Sequence, residues 1–211
     1  MNPLPLLIGG PLPQPLNFEW GLLAPEFILA GFAAAVILID LFWNRPNKEA
    51  LGYFAAAGAL ISGLVALIWV DDTKDFARLI DVNDYTTLFR VFFAGIGVFA
   101  CIASARYVKE RLLHAGEYYA LILLAIIGAN GMAAARELLT AYLSLELLSF
   151  SLYVLVSYAK YDLKSNEAGL KYMLLGAFSS AFFLYGISMV YGATGNTDYA
   201  AIGGVLSRDI T

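Results

Sequence analysis

The sequence is poor in the residues that build redox and metal centres. It contains one cysteine, Cys101, and one histidine, His114. A single cysteine makes neither an intrachain disulfide nor a cysteine-ligated iron–sulfur site. GxGxxG and Walker sequences are absent, so those motifs give no support for nucleotide or flavin binding. We therefore expect no cofactor and no metal in this chain.

Charged residues are also scarce. They make up 14% of the chain, against about 25% in typical soluble domains. The net charge is −4 and no basic stripe is present, which argues against nucleic acid as a partner. Hydrophobic residues reach 60% and occur in helix-length runs, unlike the short alternating strands of a membrane barrel. We predict an all-α integral membrane protein in contact with the lipid bilayer.

Six apolar runs predict six transmembrane helices, since about 20 residues span a bilayer. They cover residues 25–43, 50–70, 85–107, 118–135, 138–158 and 167–191. Five prolines interrupt residues 1–24, which we interpret as an irregular arm at the membrane interface. Residues 192–211 are predicted to form a polar tail.

Lysine and arginine in the connecting loops predict the orientation. Seven lie on one side (Arg45, Lys48, Arg106, Lys109, Arg111, Lys160 and Lys164) and four on the other (Lys74, Arg78, Arg136 and Arg208). Since basic loops stay in the cytoplasm, we expect both termini on the outer side of a bacterial inner membrane.

Glu146 is the feature that most suggests a function. It lies near the middle of the fifth run, at a depth where a carboxylate costs roughly 2.5–3.5 kcal/mol on insertion scales. One interpretation is a carboxyl hydrogen-bonded to Ser or Tyr neighbours for packing alone. The other is a titratable group whose proton affinity responds to a nearby cation.

Lys171 is the next cation along the sequence that lies inside an apolar run. With a sixth helix that starts near Glu167, the two charges are separated by about 12 Å along the membrane normal. A start near Asp162 is expected to close that gap. Glu167 and Lys171 also form an i, i+4 pair on one helix face. Arg90, in the third run, is expected to extend its guanidinium to the outer headgroups.

The segment LLTAYLSLELLSFSLYVLVSY, with NEAGLKYMLLGAFSSAFFLYGISMVYGATG, resembles the subunit N family of bacterial complex I, the proton-translocating NADH–quinone oxidoreductase. The resemblance is strong over residues 117–195 and topological before them. Related antiporter-like subunits and cation/proton antiporters share the LELLS helix but match the remainder less well.

The resemblance implies that Glu146 is the key carboxylate of the fifth helix and Lys171 an intramembrane lysine of a hydrated proton path. It also implies that flavin and iron–sulfur clusters belong to partner subunits and that quinone is used elsewhere in the complex. The family subunit is usually more than twice this length and contains two inverted repeats of five helices. We therefore expect an incomplete first repeat, with other membrane subunits, including one that supplies the missing C-terminal helices, as partners.

Two other functions remain open from the sequence. One is a subunit of a multi-subunit cation/proton antiporter without a redox partner. The other is a scaffold subunit without transport, in which Glu146 and Lys171 affect stability alone.

Overall fold

A computed structural model describes residues 19–42, 48–69, 74–112 and 114–208. Residues 1–18, which form most of the predicted arm, lie outside the described residues. So do Arg45 and the side chain of Lys48, which contributed to the predicted orientation.

The described residues are almost entirely helical, which confirms the predicted fold class. The helices are α1 (Ala24–Phe42), α2 (Lys48–Ala66), α3 (Asp84–Arg111), α4 (Ala115–Ala134), α5 (Leu138–Val156), α6 (Leu163–Thr194) and α7 (Tyr199–Arg208). Short 3-10 turns, Trp20–Leu23 and Leu67–Trp69, precede α1 and follow α2. Helices α1 to α6 are each long and apolar enough to cross a membrane.

Helix α6 begins four residues before the predicted start, for a local reason. The Asp162 side chain accepts a hydrogen bond of 3.0 Å from the Lys164 backbone amide and so caps the helix. A capping carboxylate satisfies an amide that would otherwise lack a partner, and it complements the positive end of the helix. The polar residues before the apolar run are therefore helical too.

Two small elements were not predicted. Strands β1 (Lys74–Phe76) and β2 (Ile80–Val82) form an antiparallel hairpin over the ends of α3 and α4. Helix α7 lies within the segment that we expected to be a polar tail. Asp198 caps it by accepting a 2.9 Å hydrogen bond from Ala201, and Asp198 pairs with Arg136 at 3.1 Å. The Ala201 amide and the Arg136 guanidinium hold the pKa of the Asp198 carboxyl below its usual range.

The core lies among α1 to α4. Its buried side chains include Leu29, Leu51, Cys101 and Leu123, with Tyr119 at the centre of the contact between α2 and α4. Small residues allow the close approach: Gly63 faces Ala94, and Gly97 faces Ala59. This is the packing that small residues at helical spacing provide in membranes.

Helices α5 and α6 are added to one side of this core. Helix α5 packs on α4, where Gly128 lies against the α5 backbone at Ser144 and Leu148. Helix α6 contacts mainly α5, and of its residues just Gly169 and Ile187 are buried. The α5–α6 pair therefore has the most open surface of the described bundle.

Candidate functional site

Glu146 lies between α5 and α6. It is eight residues from the start of α5 and ten from its end, or about 12 Å and 15 Å along the axis. Its Oε1 atom accepts a hydrogen bond from Ser180 of α6. The Ser180 hydroxyl also lies 3.2 Å from that of Tyr142, which is one turn before Glu146 on α5. A half-buried carboxylate at membrane depth thus contacts the Ser180 hydroxyl, which in turn contacts that of Tyr142.

Two glycines of α6 bring Ser180 into reach of Glu146. Gly169 lies against Ser157 and Gly176 lies against the ring of Tyr153. A Cβ at either position would overlap these α5 side chains, so the close approach requires glycine. Tyr142 and Phe183 continue the interface, with ring centroids 6.1 Å apart. The antiparallel register is therefore set by small residues of α6 that face aromatic and polar residues of α5.

Lys171 does not meet Glu146. Helix α6 does begin near Asp162, but its first turns extend beyond the end of α5, because Gly169 is level with Ser157. Ser180 is level with Glu146 and lies nine residues after Lys171, which is about 13 Å along the axis. The expectation that an early helix start closes the gap is therefore wrong. The Lys171 ammonium instead pairs with Glu167 on its own helix, and both side chains are exposed.

A second polar group lies among α1, α3 and α4. Arg90 is 2% exposed, and its Nη2 atom lies 2.9 Å from Oε1 of Glu26. Asn130 of α4 lies beside the Glu26 carboxylate, and Thr87 is also buried near this end of α3. The expectation that Arg90 extends to the outer headgroups is wrong, because the buried Glu26 compensates its charge inside the bundle.

The sequence contains signals for these contacts, but they are weak. Gly176 and Ser180 have the small-xxx-small spacing of a packed face, which we interpreted as packing without chemistry. Ser180 is 34 residues from Glu146, and only the α5–α6 register joins them. Glu26 and Arg90 are further apart in the chain, yet both lie near the same end of the bundle. Each carries a charge inside an apolar run, which is the signal that could have paired them.

The arrangement around Glu146 suits proton transfer. A carboxylate binds and releases a proton reversibly, and hydroxyl groups both donate and accept hydrogen bonds. Among the described residues, no group of three His, Cys, Asp or Glu side chains is placed to hold a metal ion.

The chain is similar to membrane subunits of NADH–quinone oxidoreductases. The family model described as "NADH:quinone oxidoreductase/Mrp antiporter, TM" matches residues 135–208. NADH-quinone oxidoreductase subunit N of Trichlorobacter lovleyi is 35% identical over 196 residues, which is 92% of this chain and 40% of that protein. Subunit N of Anoxybacillus flavithermus is 38% identical over 191 residues, or 89% and 38% of the two chains. The chain thus spans about two fifths of the length of these relatives.

A solved structure has the same helix arrangement. A chain of respiratory complex I from Thermus thermophilus superposes with a TM-score of 0.68 at 28% identity. The match covers 86% of this chain and 42% of that chain. The fold is therefore that of part of an antiporter-like membrane subunit.

Proposed function

We infer from the similarity to NADH-quinone oxidoreductase subunit N, which extends over 92% of the chain, that this protein is a proton-translocating membrane subunit of a complex I-type NADH–quinone oxidoreductase. The chain itself does no redox chemistry in this proposal. Electron transfer takes place on partner subunits that hold flavin and iron–sulfur clusters and use quinone. Proton movement through the glutamate and lysine of helices α5 and α6 is coupled to this electron transfer.

The observation that carries the proposal is the position of Glu146. It is an ionisable side chain that lies at least about 12 Å from each end of its helix. It accepts a hydrogen bond from Ser180 of the neighbouring helix, and the Ser180 hydroxyl in turn contacts that of Tyr142. Ionisable residues at this depth are costly and typically mark proton paths. In the proposal Glu146 accepts a proton, and the hydroxyls of Ser180 and Tyr142 orient the carboxylate.

Lys171 acts as an electrostatic partner or relay in this proposal. Because it is about 13 Å from Glu146 along the axis, the two communicate through intervening water and not through a direct ion pair. The Glu167 carboxylate competes for Lys171 and stabilises its resting position.

The proposed neighbouring subunits and the proposed membrane orientation both follow from the assignment to a complex I-type oxidoreductase. Other membrane subunits of the complex border the open α5–α6 side. The protein is placed in the bacterial inner membrane with both termini outside, in agreement with the distribution of basic residues in its loops.

The test replaces the carboxyl of Glu146 by an isosteric amide in the assembled complex. Glu146→Gln keeps the hydrogen bond with Ser180 possible but removes the titratable group. We expect proton pumping per electron to fall severalfold, while NADH oxidation with an artificial acceptor is retained. Glu110→Gln is the matched control, because Glu110 is an exposed carboxylate at the end of α3. Both are measured in membrane vesicles with a pH-sensitive dye.

Normal pumping by Glu146→Gln in an assembled complex would remove this residue from the mechanism and favour the scaffold function. A cation/proton antiporter is the second candidate, because the matching family model also covers Mrp antiporters. Gentle purification distinguishes the two candidates. Flavin and iron–sulfur absorbance in the copurified assembly supports the oxidoreductase, whereas hydrophobic subunits without a chromophore support the antiporter.

A further inference from the structure

A basic pocket lies at the end of the bundle opposite the Glu26–Arg90 pair. It has a volume of about 680 Å³ and lies between the last turn of α3, the loop before α4 and the α5–α6 loop. This size is within the range of about 300–1,000 Å³ that is usual for small-molecule sites. Its charged lining consists of Arg111, Lys160, Asp162 and Lys164, and His114 also lines it.

Within the part of the chain that the structure describes, the cations of this pocket form no ion pair. None of the ion pairs among the described residues includes Arg111, Lys160 or Lys164. The single carboxylate of the lining, Asp162, is occupied in capping α6. Nearby cations that do not line the pocket differ, since Lys109 pairs with Glu49 at 2.9 Å and Arg106 with Glu110 at 3.0 Å. The pocket therefore has a local excess of positive charge.

Hydrogen bonds hold the walls of the pocket in place. The Tyr158 hydroxyl donates to the His114 carbonyl at 2.8 Å and lies 3.1 Å from the Glu117 carboxylate. The Lys160 amide donates to the Tyr158 carbonyl at 2.9 Å, and the Asn166 side chain donates to the Lys160 carbonyl at 3.0 Å. The loop backbone is thus fixed, and its lysines extend from defined positions.

The pocket lies at headgroup height. Helix α3 has 28 residues and α6 has 32, or about 42 Å and 48 Å, so both exceed the hydrocarbon core of about 30 Å. Tyr161 and Leu163 are 90% and 83% exposed at the rim, where an aromatic ring and an apolar side chain suit the boundary between headgroups and acyl chains.

We propose that this pocket binds the phosphate headgroup of an anionic membrane lipid, with Arg111, Lys160 and Lys164 as its ligands. Basic pockets between membrane helices on the cytoplasmic side bind such headgroups. The exposed rim residues accommodate the acyl chains, which a free phosphate ion lacks. The site is separate from Glu146, and the proposal does not depend on the function assigned to that residue.

The test counts bound lipids on the full chain, purified in neutral detergent with any subunits that accompany it. Cardiolipin is titrated in, and bound lipid is measured by native mass spectrometry. The variant is K160Q/K164Q, and the control is R106Q/K109Q, which removes the same charge from the same end of the bundle outside the pocket. At roughly fivefold in affinity for each basic residue, we expect the variant to bind about 25-fold more weakly and the control to match the unmodified chain.

Equal loss of lipid in the variant and the control would overturn the proposal, because it would reduce the effect to overall charge. Inorganic phosphate is the second probe. If it binds as tightly as cardiolipin and displaces it, the site takes free phosphate and the lipid assignment is wrong. All four lysine and arginine positions are exposed, so the variants are expected to fold, which circular dichroism checks.

Discussion

The charged side chains inside the bundle differ in how their charge is compensated. Arg90 and Glu26 lie 2.9 Å apart, with side-chain exposures of 1% and 14%. The guanidinium and the carboxylate therefore compensate each other's charge inside the bundle. Glu146 accepts a hydrogen bond from Ser180, and none of the ion pairs among the described residues includes it. We therefore expect neutralisation of one charge to destabilise the protein at the Glu26–Arg90 pair, but not at Glu146.

At the Glu26–Arg90 pair, removal of one partner leaves a buried, uncompensated charge. Such single changes cost about 3–5 kcal/mol in buried pairs, whereas removal of both charges is often nearly neutral. We expect Arg90→Met and Glu26→Gln each to lower the unfolding temperature in detergent, and the double variant to recover most of the loss. Arg106→Met, which breaks an exposed pair, is the control with little effect. Additive losses in the double variant would contradict this account of the pair.

At the scale of elements, the α5–α6 interface depends on glycine at its closest points. Gly176 lies against the Tyr153 ring, one turn before Ser180. Gly186 lies on the same helix with nothing within 4 Å of an added Cβ. The two glycines therefore form a matched pair for substitution.

We predict that Gly176→Leu displaces α6 from α5 and separates Ser180 from Glu146, whereas Gly186→Leu does not. Cross-linking between cysteines introduced at Tyr142 and Phe183, in a Cys101→Ala background, measures the separation. The ring pair places these positions close together in the unmodified chain. Equal cross-linking in both leucine variants would show that the interface tolerates a side chain at Gly176.

The helices were largely predictable from the sequence, because a helix that crosses the hydrocarbon core of a bilayer needs about 20 apolar residues in a row. The start of α6 was misplaced because the capping by Asp162 extends the helix into polar sequence. The Lys171 geometry was wrong because axial depth depends on register between helices, and the overhang of α6 is a tertiary property. The same limit applies to Ser180 and to the Glu26–Arg90 pair. One chain shows that a buried charge needs a partner but does not identify it.

At the scale of the whole molecule, the basic residues of the loops divide unequally between the two ends. The predicted orientation places the α5–α6 loop inside the cell and α7 outside. Single cysteines at Tyr161 and Ser207, both exposed, test this in a Cys101→Ala background. We expect a membrane-impermeant maleimide to label Ser207→Cys in right-side-out vesicles and Tyr161→Cys in inverted ones. The reverse pattern would invert the proposed topology.

The separation of Glu146 and Ser180 in the chain also has a consequence for biogenesis. Synthesis proceeds at about 5–20 residues per second, so the 34 residues between them take roughly 2–7 s to be made. During that interval α5 has its acidic side chain but not its hydroxyl partner on α6. The four preceding helices, α1 to α4, can already pack into their common core. If the insertion machinery releases α5 only together with α6, Glu146 never faces lipid without its hydrogen-bond partner Ser180.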